Sequence, residues 1–243
     1  MNELTDRKYK NPPIVEALVD IRVAPSTPRD YLEIVDDFSK RITPRYPKRV
    51  AINSPLLDGT VAMMGVRFLD NEEFKAVDIS PTQYVYRVRK YVGWEVFEPD
   101  AKSCWSEYAE WVGDCKITRI AVRYTNRFDI KIELAKGDPL FHPSITDPLE
   151  KNENLLTYAL HTMIFQPDLQ ATVSLQRGIV PPNKADEVSI VLDIDVFRDL
   201  DDSQILSSAN TVELWDIIDS LHVCGKKYFE KSITDKVRQE INK

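Results

Sequence analysis

Residues 117 to 133 read ITRIAVRYTNRFDIKIE, and their character alternates with a period of two. Ile120, Val122, Tyr124, Phe128, Ile130 and Ile132 fall on one side, and Arg119, Arg123, Arg127, Asp129, Lys131 and Glu133 fall on the other. A β-branched and aromatic run with that period describes a strand with one buried and one wet face. The run exceeds the usual strand length, so a bend or bulge is expected. Asn126, the one polar residue on the apolar side, marks the expected place.

The rest of the chain arranges itself around that strand. Pro12 and Pro13 hold the backbone out of a helix before Ile14, and Val15, Ala17, Val19, Ile21 and Val23 alternate with Glu16, Asp20 and Arg22 as a first strand. Thr27, Pro28 and Asp30 suit a helix start. Tyr31, Ile34, Val35, Phe38 and Ile42 then give the apolar stripe, closed by Pro44 and Pro47. Three strands at close spacing follow, Thr60 to Leu69, Phe74 to Ile79 and Gln83 to Tyr91, the pattern of an antiparallel meander. Pro99-Asp100 opens a second helix striped by Ala101, Cys104, Trp105, Tyr108, Trp111, Val112 and Cys115. Beyond the arginine strand, Thr146-Asp147-Pro148 caps a short helix. Leu155 to Phe165, Gln170 to Arg177 and Glu187 to Phe197 read as strands, and a long helix runs from about Asn210 to Phe229 with a polar tail behind it. The expected fold is α+β, largely antiparallel, with helices on one face. It is read as one structural unit over residues 1–243, with pseudo-repeat halves at about 9–116 and 117–232, each ordered β-α-β(n)-α.

Composition narrows the chemistry. The net charge of −7 steers nothing globally toward nucleic acid. No apolar run is long enough for a bilayer and the start MNELTDRKYK lacks a signal core, so no membrane partner and a cytoplasmic setting are expected. Three cysteines, Cys104, Cys115 and Cys224, with no CxxC, argue against a disulfide frame and a zinc site. With seven glycines there is no GxGxxG and no GxxxxGK[ST], and no GxSxG or HExxH occurs either. No cofactor is implied.

Several stretches resemble a known family. NPPIVEAL at the start of the first strand, RYTNR at Arg123 to Arg127, LDIDVF at Leu192 to Phe197, and Leu221-His222 … Phe229 … Ile233-Thr234 are similar to a sporadically distributed bacterial family of proteins of this size. The resemblance implies a bacterial, cytoplasmic setting, hints at mobile or defence-linked genes, and brings no activity or site residue with it.

Two constellations remain as candidate sites. Arg87, Arg89, Arg119, Arg123 and Arg127 project from strand faces and together suit bidentate recognition of a carboxylate or phosphate. The plainer reading is a wet face laced with ion pairs. Asp193 and Asp195, two apart on one strand, share a face and suit half of a Mg²⁺ site for phosphodiester chemistry. The plainer reading there is cross-strand pairing with Arg123 and Arg127. Without a catalytic signature, the residues favour a non-enzymatic binding or regulatory module that engages a protein partner or an anionic ligand through the arginine face. A metal-dependent phosphodiester enzyme and a nucleic-acid-binding component of a defence or mobile-element system stand as alternatives.

Overall fold

The computed structural model describes residues 7–27, 34–55, 61–132, 140–142, 158–201, 206–207 and 210–243. Its strands are β1 (Ile14–Pro25), β2 (Lys48–Pro55), β3 (Val61–Leu69), β4 (Lys75–Ser80), β5 (Gln83–Val88), β6 (Cys115–Lys131), β7 (Ala159–Gln166), β8 (Ala171–Val180), β9 (Glu187–Asp199) and β10 (Leu206–Ser207). Its helices are α1 (Ser39–Ile42), preceded by a π turn at Ile34–Phe38, then α2 (Trp94–Val112), α3 (Thr211–Ser232) and α4 (Asp235–Glu240). The class is α+β with antiparallel ladders, as the alternation predicts. The short helix expected at Thr146 to Pro148 and the first turn expected at Pro28 lie outside the described residues.

The chain forms two compact units. A middle unit holds Glu16–Val122 and Phe197–Asp219, and a terminal unit holds Met1–Val15, Arg123–Val196 and Ser220–Lys243. The chain passes from one to the other within β1, β6, β9 and α3.

In the middle unit the strands lie in the order β2-β3-β4-β5-β1-β6, with β10 also paired to β6. One face is apolar and takes the helices. Tyr84 packs edge-on against Trp105 with centroids 5.5 Å apart, and Phe38 meets Phe68 and Trp111 at 5.6 and 6.1 Å. Edge-to-face aromatic geometry adds to the burial that drives this contact. The Tyr84 hydroxyl donates to the Ala101 carbonyl and the Tyr108 hydroxyl to the Ser80 carbonyl, so these deep rings leave no hydroxyl without a partner. The stripe expected on α2 is the buried one, with Phe97 added and Cys115 moved. Cys115 opens β6 instead of ending the helix, because Gly113 at φ +76° stops α2 two residues earlier. The helix also starts at Trp94, five residues before the expected Pro99. Pro99 therefore lies inside α2, where it has no N–H for the i−4 bond, and Gly93 at φ +143° turns the chain in, its carbonyl accepting from the Phe97 N–H at 3.1 Å. Strand β2 was not expected. Lys48–Pro55 is exposed for most of its length and so lacks an apolar alternation to reveal it.

In the terminal unit the order is β6-β9-β8-β7. Residues 220–232 of α3 cover the apolar face. Phe229 stacks on Phe128 with centroids 6.3 Å apart, and Gly225 lets the Tyr124 ring approach so closely that a Cβ there would sit 3.4 Å from it. The tail, expected as a polar short helix from Ser232 to Lys243, does form the short helix α4, but it is partly buried. Ile233, Val237 and Ile241 are buried, and the Asn11 N–H donates to the Ile241 carbonyl at 3.0 Å.

Strand β6 runs as one element through Asn126. Asn126 is buried and donates its amide to the Leu192 carbonyl at 3.1 Å. The burial alternation slips by one residue earlier, between buried Ile117 and buried Ile120. That is where the neighbouring chain changes. Leu200 N–H donates to the Thr118 carbonyl, whereas Leu206 is already paired with Ile117.

Candidate binding face

The face of each sheet away from the helices carries the candidate arginines. In the middle unit the register sets Arg67 on β3 opposite Asp78 on β4, and Leu18 on β1 opposite Arg87 on β5. Asp78 is 7% exposed and stands between two cations. Arg67 Nε and Nη2 donate to its two oxygens at 2.7 and 2.8 Å, and Arg87 Nη2 lies 2.8 Å from Oδ2. Arg87 then reaches Glu16 on β1 at 3.3 Å. Positive, negative, positive and negative side chains thus follow one another across β3, β4, β5 and β1. The hydrogen bond to Asp78 raises the Arg67 pKa further, so its charge is fixed.

Beside this row lies Asp20, half of a hydrogen-bonded pair with Gln83 whose Nε2 donates at 2.9 Å. Burial pushes its carboxyl above the ordinary range, against the opposing pull of Gln83 and of Arg22, Arg119 and Arg87. Two arginines singled out in the sequence, Arg87 and Arg119, therefore act on one acid that sequence reasoning did not select. Its place on the wet side of the first strand was the available signal. Arg119 itself donates to Asp199 at 3.1 Å and lays its guanidinium 3.7 Å from the centroid of Phe197, a cation–π contact that fixes the planar group. Arg89 stands apart. It is exposed, and its backbone N–H donates to the Phe74 carbonyl.

In the terminal unit Arg123 grips Asp193 on β9, with Nε 2.8 Å from Oδ1 and Nη2 on Oδ2. Asp193 is buried while Arg123 stays 45% exposed by side chain. Arg127 donates to Ser189 and to the Pro181 carbonyl at 3.0 Å each and to Asp129 at 3.1 Å. Asp129 also accepts from Ser189 and Asn183. Burial opposes these bonds, but they prevail and hold Asp129 below the ordinary carboxylate range.

The acidic candidate changes character in this setting. Asp193 spends both oxygens on Arg123, the cross-strand pairing anticipated as the plainer reading. Among the described residues no three His, Cys, Asp or Glu side chains converge as a metal would need. The histidines are separate as well. His222 shares a 2.6 Å hydrogen bond with the Tyr124 hydroxyl beneath α3, His161 meets Ser174 at 2.9 Å, and His142 is exposed. Trp94 donates to Asp219 at 2.8 Å and stacks on Phe97. Among the described residues no helix is long and apolar enough to cross a membrane.

One buried acid escaped sequence reasoning altogether. Glu230, 4% exposed, accepts from the Tyr9 hydroxyl at 2.6 Å and from Arg238 Nε at 2.9 Å, with Arg7 at 3.7 Å. Burial and the Glu230 bond push the Tyr9 hydroxyl up to about 12.

No family model, curated protein or solved structure matches the chain.

Proposed function

We propose that the chain is a non-enzymatic binding module of a bacterial cytoplasm, belonging to the sporadically distributed family it resembles, and that it engages a protein partner through the arginine-bearing sheet face. The carrying observation is the Arg123–Asp193 pair, in which a nearly half-exposed guanidinium is held bidentate by a buried carboxylate. Such a group is already ordered, so little side-chain entropy is lost when its exposed side meets a partner. Arg87, Arg119 and Arg127 are also engaged by acceptors of the protein itself, though each is less exposed than Arg123. A small anion must strip a carboxylate from each of them. A protein surface that presents both signs matches the alternating rows without that cost, and complementarity of this kind confers specificity. This favours the protein partner over the anionic ligand.

The test uses the full chain as immobilised bait in a bacterial lysate, beside a variant with Arg119, Arg123 and Arg127 all changed to Gln and its folding verified by circular dichroism. A protein retained by the wild type and lost on the variant supports the reading. Equal retention overturns it.

A further inference from the structure

Among the described residues β7 ends the sheet of the terminal unit, with β8 on one side and no strand on the other. Its sequence, ALHTMIFQ, contains no charge, no proline and no glycine. Natural sheets guard such edges with charges, prolines and bulges, because a free edge is a template for another strand. Among the described residues the opposite case is β2, which ends the strand order of the middle unit. It carries Lys48 and Arg49, finishes in Pro55, and has a register shift between Ile52 and Asn53. Among the described residues one edge is guarded and the other is left open.

The open edge is also apolar where it faces water. Met163 and Phe165 are 56% and 62% exposed, and with His161 they share one face. The hydrogen-bonding direction is fixed by the Ile179 N–H donating to the Tyr158 carbonyl and by the pairing of Ala159 with Gly178. Even-numbered residues of this strand therefore aim their backbone groups at β8, and Ala159, His161, Met163 and Phe165 aim theirs outward. The Phe165 carbonyl takes the side-chain amide of Gln166 at 3.2 Å, an acceptor provisionally occupied by its own neighbour.

We propose that β7 pairs antiparallel with β7 of a second copy of this chain, about a twofold axis through Met163. The strand is self-complementary in that register. Met163 lies opposite its symmetry mate and His161 lies opposite Phe165, so each facing pair has outward backbone groups and all of these side chains stay on one face. Three such pairs exchange about six backbone hydrogen bonds. An uncharged strand meets its own copy without like-charge repulsion, which selects a second copy over a charged peptide. The contact is isologous, so it closes as a dimer and does not grow into a fibre. An interface of this size is at the weak end, with dissociation on the order of micromolar.

Sedimentation velocity of the full chain from low to high micromolar concentration tests this. The expected result is a concentration-dependent monomer–dimer equilibrium that Met163→Lys weakens about tenfold or more, since two cations then face each other across the axis. Val50→Lys, on the guarded β2 edge, leaves it unchanged. A register test uses cysteine. Met163→Cys oxidises to a disulfide-linked dimer, because facing residues of a hydrogen-bonded pair lie within disulfide reach. Phe165→Cys alone does not, but it cross-links to His161→Cys when the two variants are mixed. Native Cys104, Cys115 and Cys224 are buried and do not compete. A chain monomeric throughout, a dimer unaffected by Met163→Lys, or cross-linking by Phe165→Cys alone overturns the proposal.

Discussion

Arg123 on β6 holds Asp193 on β9 through two guanidinium nitrogens, Nε at 2.8 Å and Nη2 on the second oxygen. The acid is buried and the base is not, so the two halves of the pair differ in cost when removed. Arg123→Gln leaves a buried carboxylate without its bidentate donor and lowers stability by about 1–3 kcal/mol. Asp193→Asn, which leaves no buried charge, costs less. Urea denaturation followed by circular dichroism reads the difference, and equal midpoints for all three proteins contradict it.

Glu230 ties the start of the described chain to its end through Tyr9 and Arg238. Glu230→Ala leaves Arg238 without its buried counter-charge and costs about 3–5 kcal/mol. Tyr9→Phe removes one hydrogen bond and costs about 1 kcal/mol. Thermal unfolding ranks the two, and proteolysis near the termini of the Glu230 variant at native temperature checks the location.

Two aspartates in the middle unit have opposite pH signatures. Burial raises the Asp20 pKa above the ordinary 3.8, so its folded form binds a proton more tightly than the unfolded chain does. Its contribution to stability is full below 3.8 and is lost as pH rises through the folded value. Asp20→Asn therefore gains stability relative to wild type between acid and neutral pH. Burial also pushes Asp100 upward, but Lys75 at 2.7 Å and the Tyr86 hydroxyl at 2.8 Å outweigh it, and the net shift is downward. Its contribution is present above 3.8 and is lost as pH falls through the folded value. Asp100→Asn is costly at neutral pH and nearly silent in strong acid. Midpoints measured across pH for both variants check the two signs.

Gly65 on β3 has no room for a side chain. A Cβ there would lie 2.5 Å from the Ile79 carbonyl oxygen, a backbone atom that cannot swing away. Gly65→Ala is expected to cost about 1–3 kcal/mol, by the overpacking of a tight site. An unchanged thermal midpoint would show that the β3–β4 contact is looser than this.

The alternation of β6 was legible because period-two burial is written residue by residue, and so were the meander and the stripe of α2. Strand β2 was not, since an exposed edge strand needs no apolar face. The helix start at Trp94 was hidden by Pro99, which lies inside α2 although proline is disfavoured there. The slip of the burial alternation near Thr118 was not legible, because it arises from a change of neighbouring strand that local sequence does not encode. At the candidate face, the arginines were visible but their partners came from other strands, 70 residues away for Arg123 and Asp193. Glu230 sits 221 residues from Tyr9 and gave no sign at all.

In the proposed function the ordered guanidinium of Arg123 faces a partner, beyond bracing the sheet. The most direct measurement is partner retention by a charge-exchanged protein, Arg123→Asp combined with Asp193→Arg, which keeps an ion pair between β6 and β9 but inverts its direction. The prediction is a chain that still folds, as circular dichroism reads, and a retained partner reduced at least tenfold. Undiminished retention by the folded exchanged protein would contradict that reading.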